Sequence, residues 1–260
     1  MGSGVSSSAG EKSESNVSVG GDVIVSDAGS GSGISSNSGK EGNSVVDVAG
    51  GVQVNAGDAV ITSMAGLLGR AAGTGSGISS SDSEKGKSSI SVGEDVTVTA
   101  GQATGLSLNS SSESSSTIDV QGDVNVNSTS PEITEYISMG SYGDFPITIS
   151  NPGKGVASTV NSGSKGTVTV GGSVSVTAVD TATGVEVSVS NPDGKETSST
   201  VTINEDVTVS SRNYATPEDY LRDYATAIRT NISGGKSVIS VGGDVTAQGN
   251  VGSTTAIESY

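Results

Sequence analysis

The chain has 260 residues and a formal net charge of −16, with 39 Gly, six Tyr, one Phe and no Trp, His or Cys. So few bulky side chains cannot fill a conventional globular core, which leaves Val, Ile and Ala to build a narrow one. The acidic balance argues against a nucleic-acid partner, which needs a basic surface to release counterions; no apolar run nears the roughly 20 residues of a membrane span, and residues 1–10 lack the charged and apolar regions of a signal peptide.

Seven near-copies of one phrase follow in chain order, starting at Val17, Val46, Ile90, Ile118, Val168, Val201 and Ile239. Each reads apolar-x-apolar, a Gly- or Asp-bearing corner, apolar-x-apolar, as in Val17-Ser-Val-Gly-Gly-Asp-Val-Ile-Val25 and Ile90-Ser-Val-Gly-Glu-Asp-Val-Thr-Val98. The period of two predicts two short strands, A and B, with Val17, Val19, Val23 and Val25 on one face and Ser18 and Ile24 on the other. A third strand, C, is read at Gly33-Ile34, Gly77-Ile78, Gly105-Leu-Ser-Leu108, Phe145-Pro-Ile-Thr-Ile149, Gly184-Val-Glu-Val-Ser-Val189 and Ala227-Ile228. Three strands per repeat make one turn of a right-handed, three-sided parallel β-helix, a single domain over residues 1–260. Seven or eight turns at the spacing of parallel strands give a rod of about 35 to 40 Å.

Both ends lie in mid-turn, since the opening Gly2-Ser-Gly-Val5-Ser-Ser resembles the C segments Gly31-Ser-Gly-Ile34-Ser-Ser and Gly75-Ser-Gly-Ile78-Ser-Ser, and Ile257 also falls in a C place. Without a recognisable cap over unpaired edges, the expectation is a segment of a larger protein, with end-to-end self-association of open turns as the rival.

Extra residues gather at the B–C corner, roughly over 55–76, 127–144 and 211–226. Thr216-Pro-Glu-Asp-Tyr-Leu-Arg-Asp-Tyr224 has a capping Thr, Pro in the first helical position and early acids, which predicts a short helix. Ala59-Val-Ile-Thr-Ser-Met-Ala-Gly-Leu-Leu68 is read as a second. The C–A corners are polar turns such as Ser190-Asn-Pro-Asp-Gly-Lys195 and Ser150-Asn-Pro-Gly-Lys154.

Four features bear on function. Asp22, Asp95, Asp123, Asp206 and Asp244 recur at the A–B corner, where a column of carboxylates either braces sharp turns or, as the lesser reading, binds calcium through Asp95, Asp123, Asp206 and Asp244; no other cofactor is expected. All eight Lys fall in C–A loops and all four Arg in or near the B–C insertions, a pattern read as solvation and edge protection. Tyr136, Tyr142, Tyr214, Tyr220 and Tyr224 lie in the insertions with Arg222, either as a raised contact surface for a glycan or protein or as packing that holds the insertions down. These insertions flank one uninserted turn and would leave a groove over Val185 to Val189. Gly86-Lys-Ser88 and Gly235-Lys-Ser237 lack the preceding Gly of a phosphate loop. Outward A and B positions carry Ser, Thr, Asp, Asn and Gln without paired carboxylates, so catalysis is not expected, and they are too mixed for an ice-matching lattice.

The phrase Val-Ser-Val-Gly-Gly-Asp-Val-Thr-Val with its Gly-Ile or Gly-Val strand resembles the β-helical repeats of large bacterial cell-surface and adhesin-like proteins. That resemblance covers nearly the whole chain and implies an extracellular, non-catalytic stalk or adhesive module whose partner is a cell-surface glycan or protein. The rival functions are a carbohydrate-active β-helix, a polysaccharide lyase or hydrolase, and a self-assembling fibre unit.

Overall fold

In the computed structural model the described residues are 2–27, 29–57, 59–62, 68–71, 73–130, 133–138, 144–149, 151–212, 223–249 and 252–260. The chain winds through β1 (Gly2–Ala9), β2 (Glu14–Val19) and β3 (Val23–Asp27), then β4 (Gly31–Ser38), β5 (Asn43–Val48) and β6 (Val52–Ala56). A hairpin of β7 (Ala59–Thr62) and β8 (Leu68–Ala71) precedes β9 (Thr74–Asp82), β10 (Lys87–Val92) and β11 (Val96–Ala100), followed by β12 (Gln102–Ser110), β13 (Ser115–Val120) and β14 (Val124–Ser128). A second hairpin, β15 (Ile133–Ser138) and β16 (Asp144–Ile149), leads to β17 (Gly153–Asn161), β18 (Lys165–Val170) and β19 (Val174–Ala178). The winding ends through β20 (Ala182–Ser190), β21 (Ser198–Ile203), β22 (Val207–Ser211), β23 (Asp223–Ser233), β24 (Lys236–Val241), β25 (Val245–Gly249) and β26 (Gly252–Ser259).

These strands stack into three sheets, eight strands on the C face (β1-β4-β9-β12-β17-β20-β23-β26) and seven each on the A face (β2 to β24) and the B face (β3 to β25). Every pair within them is parallel, so the chain is a three-sided parallel β-helix. The repeat register holds residue for residue, with Ile90 between Val46 and Ile118 on the A face and Val96 between Val52 and Val124 on the B face. Inward side chains therefore form apolar ladders. Val46, Ile90, Ile118, Val168 and Val201 are buried together with Val52, Val96, Val124, Val174 and Val207, while Ile24, out of phase by one position, is 63% exposed.

The C strands break the alternation once. Gly33 and Ile34, and their counterparts in successive turns, point inward one after the other, which bends the strand. A Cβ on Gly33 would lie 2.4 Å from Val52 Cγ1 and 2.6 Å from the Gly77 carbonyl, and one on Gly155 would lie 2.5 Å from both Val174 Cγ1 and the Gly184 carbonyl. Glycine is thus required by close approach of the B face. In the turn of β23 the place is taken by Ala227, and there Ala247 replaces the B-face valine, Val209, of the turn before.

Near the C–A corner the interior is polar. Ser7 and Ser36 each share a hydrogen bond with Ser44, at 2.7 Å, and Ser36 continues to Ser88 at 2.6 Å. Where Leu108 fills this space instead, the facing residue is Gly166, whose absent Cβ would lie 2.8 Å from Leu108 Cδ2.

The insertions do sit at the B–C corner, but their form differs from expectation. Residues 59–62 and 68–71 are antiparallel strands rather than a helix, as the β-branched Val60, Ile61 and Thr62 favour. Phe145 to Ile149 is the second strand of an antiparallel hairpin, not a C strand. The C place of that turn is held by β17, because Gly155-Val156 provides the Gly-apolar pair that the bend requires. Lys154 consequently lies on a C strand rather than in a turn. The helix expected at 216–224 falls largely outside the described residues, and Tyr224 itself belongs to β23. Among the described residues there is no helix, and so none long and apolar enough to cross a membrane.

Candidate functional site

The expected binding residues are only partly described. Tyr142, Tyr214, Tyr220 and Arg222 lie outside the described residues. Tyr136 is on β15, its main chain opposite Pro146, and Tyr224 is half-buried near the start of β23, opposite Ser253. The valines expected to floor a groove, Val185, Val187 and Val189, face the core instead. The outward residues of that strand are Glu186 and Ser188.

The Asp column braces turns. Four of the five carboxylates accept a main-chain N–H from the corner one turn further on: Asp22 from Gly51 at 3.0 Å, Asp95 from Asp123 at 2.8 Å, Asp123 from Ser173 at 2.7 Å and Asp206 from Asp244 at 2.7 Å. Space for the carboxylate comes from a glycine, since a Cβ on Gly50, Gly122, Gly172 or Gly243 would lie between 2.0 and 2.2 Å from the preceding Asp Oδ1. Where the preceding corner has Gly51 or Ser173 in place of Asp, the residue is Glu94 or Glu205, and Ser173 Oγ donates to Glu205 Oε2 at 3.1 Å. Each of these bonds engages Oδ1, which turns one oxygen of Asp22, Asp95, Asp123 and Asp206 toward the next corner. Among the described residues no three acidic side chains gather as a metal site.

At the C–A corner several of the lysines are paired. Lys40 meets Glu84 and Lys85 meets Glu113, each at 3.8 Å, and Lys195 bonds Glu113 across an intervening turn. The turns are sharp enough that Glu41, Glu84, Lys85 and Glu113 have φ between 46° and 66°, left-handed backbone that non-glycine residues occupy at a cost. The Lys195 ion pair holds the Glu113 carboxyl below its ordinary range and raises the Lys195 ammonium. These side chains, with Asp193, line a recess of about 340 Å³ in which three lysines face four acids.

The outer C face carries a concavity that residue types alone did not single out. The bend at the glycine ladder turns the outer side of β1, β4, β9 and β12 into a shallow trough of about 580 Å³. Its lining includes Ser3, Ser6, Ser32, Ser35, Ser76, Ser79, Gln102, Thr104 and Ser107, with no charged or aromatic side chain. Parallel pairing puts Ser35, Ser79 and Ser107 in one column and Ser32, Ser76 and Thr104 in another. The repeated Gly-Ser-Gly-apolar-Ser-Ser segments were the available signal. Further along the face the same columns become ionic: Lys154 Nζ lies 2.6 Å from Glu186, and Arg229 Nε donates to Glu258 at 2.9 Å. Hydrogen bonds from Tyr260 and then Arg229 lower the Glu258 carboxyl. The acids of this face are thus tied to cations or hydroxyls, whereas the trough offers only neutral donors and acceptors.

Comparison with protein-family models, with curated proteins and with solved structures finds no match for this chain.

Proposed function

We propose that the chain is a non-catalytic, adhesive β-solenoid module of an extracellular bacterial surface protein, a stiff rod that presents its outer C face to a surface glycan or protein. The observation that carries this reading is the hydroxyl-lined trough on an unbroken sheet. Its donors and acceptors repeat every turn, about 4.8 Å apart, close to the length of one sugar unit in an extended chain. Short Ser and Thr side chains on a sheet held rigid by main-chain pairing have little freedom to lose on binding, which favours polar recognition without a deep pocket. The lack of charge in the trough fits a neutral ligand, and the two hairpins at the adjoining corner add contact area beside it. The resemblance to adhesin-like repeats points the same way.

A glycan array with the wild-type rod, a Ser35→Glu/Ser79→Glu variant and a Tyr214/Tyr220/Tyr224→Ala variant tests this, with circular dichroism to establish folding. Binding lost in the Ser variant assigns the trough; binding lost only in the Tyr variant moves the site to the insertions. Binding unchanged in both, or cleavage of a bound polysaccharide, refutes the proposal.

A further inference from the structure

Asp82 is a buried carboxyl for which the binding surface has no use. It ends β9, the strand whose outer side supplies Ser76 and Ser79 to the trough, but its own side chain points into the C–A corner and is 3% exposed. The equivalent places in the neighbouring turns hold Ser38 and Ser110. Ser116 Oγ donates to Asp82 Oδ2, whereas Oδ1 has no hydrogen-bond partner, and the buried Ser80 Oγ on the same strand also has none. An ionised carboxylate in that position leaves an oxygen carrying half the charge without a donor in a buried corner, a cost that the neutral acid largely escapes.

We infer that Asp82 is a proton-operated lock beneath the trough, held as the neutral acid in the folded rod, and that its ionisation loosens β9 and the adjoining β4 and β12. Burial raises the carboxyl from 3.8 to about 6, against the opposing pull of Ser116 and then of the main chain at Ser38 and Ser88. No cation compensates it. On its own turn Glu84, Lys85 and Lys87 are exposed, and Lys40 and Glu41 of the preceding turn and Glu113 of the following one belong to the surface ion-pair ladder with Lys195. Of the strands packed on β9, β13 brings Asp119, which accepts from Gln121 on the outer side, and β4, β6, β11 and β12 bring no charged side chain.

The sign follows from linkage. The folded state holds the Asp82 proton more tightly than the unfolded state, so its contribution is favourable below pH 3.8 and is lost as the pH rises through about 6. A displacement of about two pKa units corresponds to roughly a hundredfold change in the local opening equilibrium.

The rod itself provides the readout, independent of whether the trough binds anything. Thermal midpoints and amide exchange are followed from about pH 3 to about pH 7.5, spanning both pKa values, in the wild type and in Asp82→Ser, which installs the residue of the turns on either side. Wild-type protection in β4, β9 and β12 is expected to fall roughly a hundredfold over this range beyond any change in the variant. A carboxyl ¹³C titration should find Asp82 ionising at about 6, well above the ordinary 3.8. An Asp82→Ser rod with the full wild-type pH dependence, or an Asp82 carboxyl titrating near the ordinary 3.8, overturns the inference.

Discussion

Replacing Gly122 by Glu should damage the rod when made alone and be rescued by a second change one turn away. A Cβ at position 122 would lie 2.1 Å from Asp95 Oδ1 and 2.8 Å from the Glu94 carbonyl carbon, so Asp95 must release the Asp123 N–H and a like charge arrives beside it. Overpacking of this kind costs about 1 to 3 kcal/mol, and the lost hydrogen bond adds about 1 kcal/mol, so the single variant should lose about 3 kcal/mol. Asp95→Ser alone loses only the hydrogen bond, about 1 kcal/mol. The double variant recreates the Ser–Glu pair made by Ser173 and Glu205 two turns away, with Glu94 rather than Gly172 beneath the new carboxylate. It should therefore recover about 2 kcal/mol relative to additivity, well above the few tenths seen for independent sites. Urea unfolding followed by circular dichroism measures the cycle. Additive losses would show that the alternation of Gly and Glu at this corner has no energetic basis.

Other outcomes can be stated briefly. Val174→Asp places an unpaired charge in the fully buried B-face ladder and should abolish a cooperative melt, at a cost above about 4 kcal/mol; a near-native melting curve would contradict the register. Gly163, at φ 78°, lies under the Lys195–Glu113 pair, with Lys195 Cδ 3.0 Å and Glu113 Cγ 3.2 Å from an added Cβ. Gly163→Ala should lower stability by about 1 to 2 kcal/mol from the left-handed backbone, measured by the shift in urea midpoint, while Lys195→Ala should leave that midpoint nearly unchanged because the pair is exposed.

Much of this architecture is legible in the sequence because a parallel stack repeats its constraints in every turn. Val17 to Val25 and its copies set the register of the A and B strands, since each inward aliphatic side chain stacks on another aliphatic one in the adjoining turn. The C strand was harder, because its inward phase changes at the glycine and a period-two reading fails there. For the same reason Phe145 to Ile149, with its clean alternation, was mistaken for a C strand when Gly155-Val156 held the place. The hairpin of β7 and β8 was misread because apolar spacing in a short segment does not separate helix from strand, although Val60, Ile61 and Thr62 favour the latter. Aromatic content drew attention to the insertions, whereas the trough is made by a backbone bend and by which serines stack, neither of which appears in composition. Asp82 looked like one more polar residue among serines. Only its inward phase at the end of β9 marks it.

The alternation at the A–B corner also bears on how such a chain finds its order while folding. Turns built from near-copies can pair out of sequence, because a wrong turn presents almost the same apolar ladder as the right one. Omitting the turn of β5 and β6 would set Glu94 over Asp22, and omitting that of β18 and β19 would set Glu205 over Asp123, like charges in a space that the native order reserves for glycine. Two corners out of seven thus penalise a skipped turn at the moment it docks, so that a chain of interchangeable parts carries its own proofreading against misassembly.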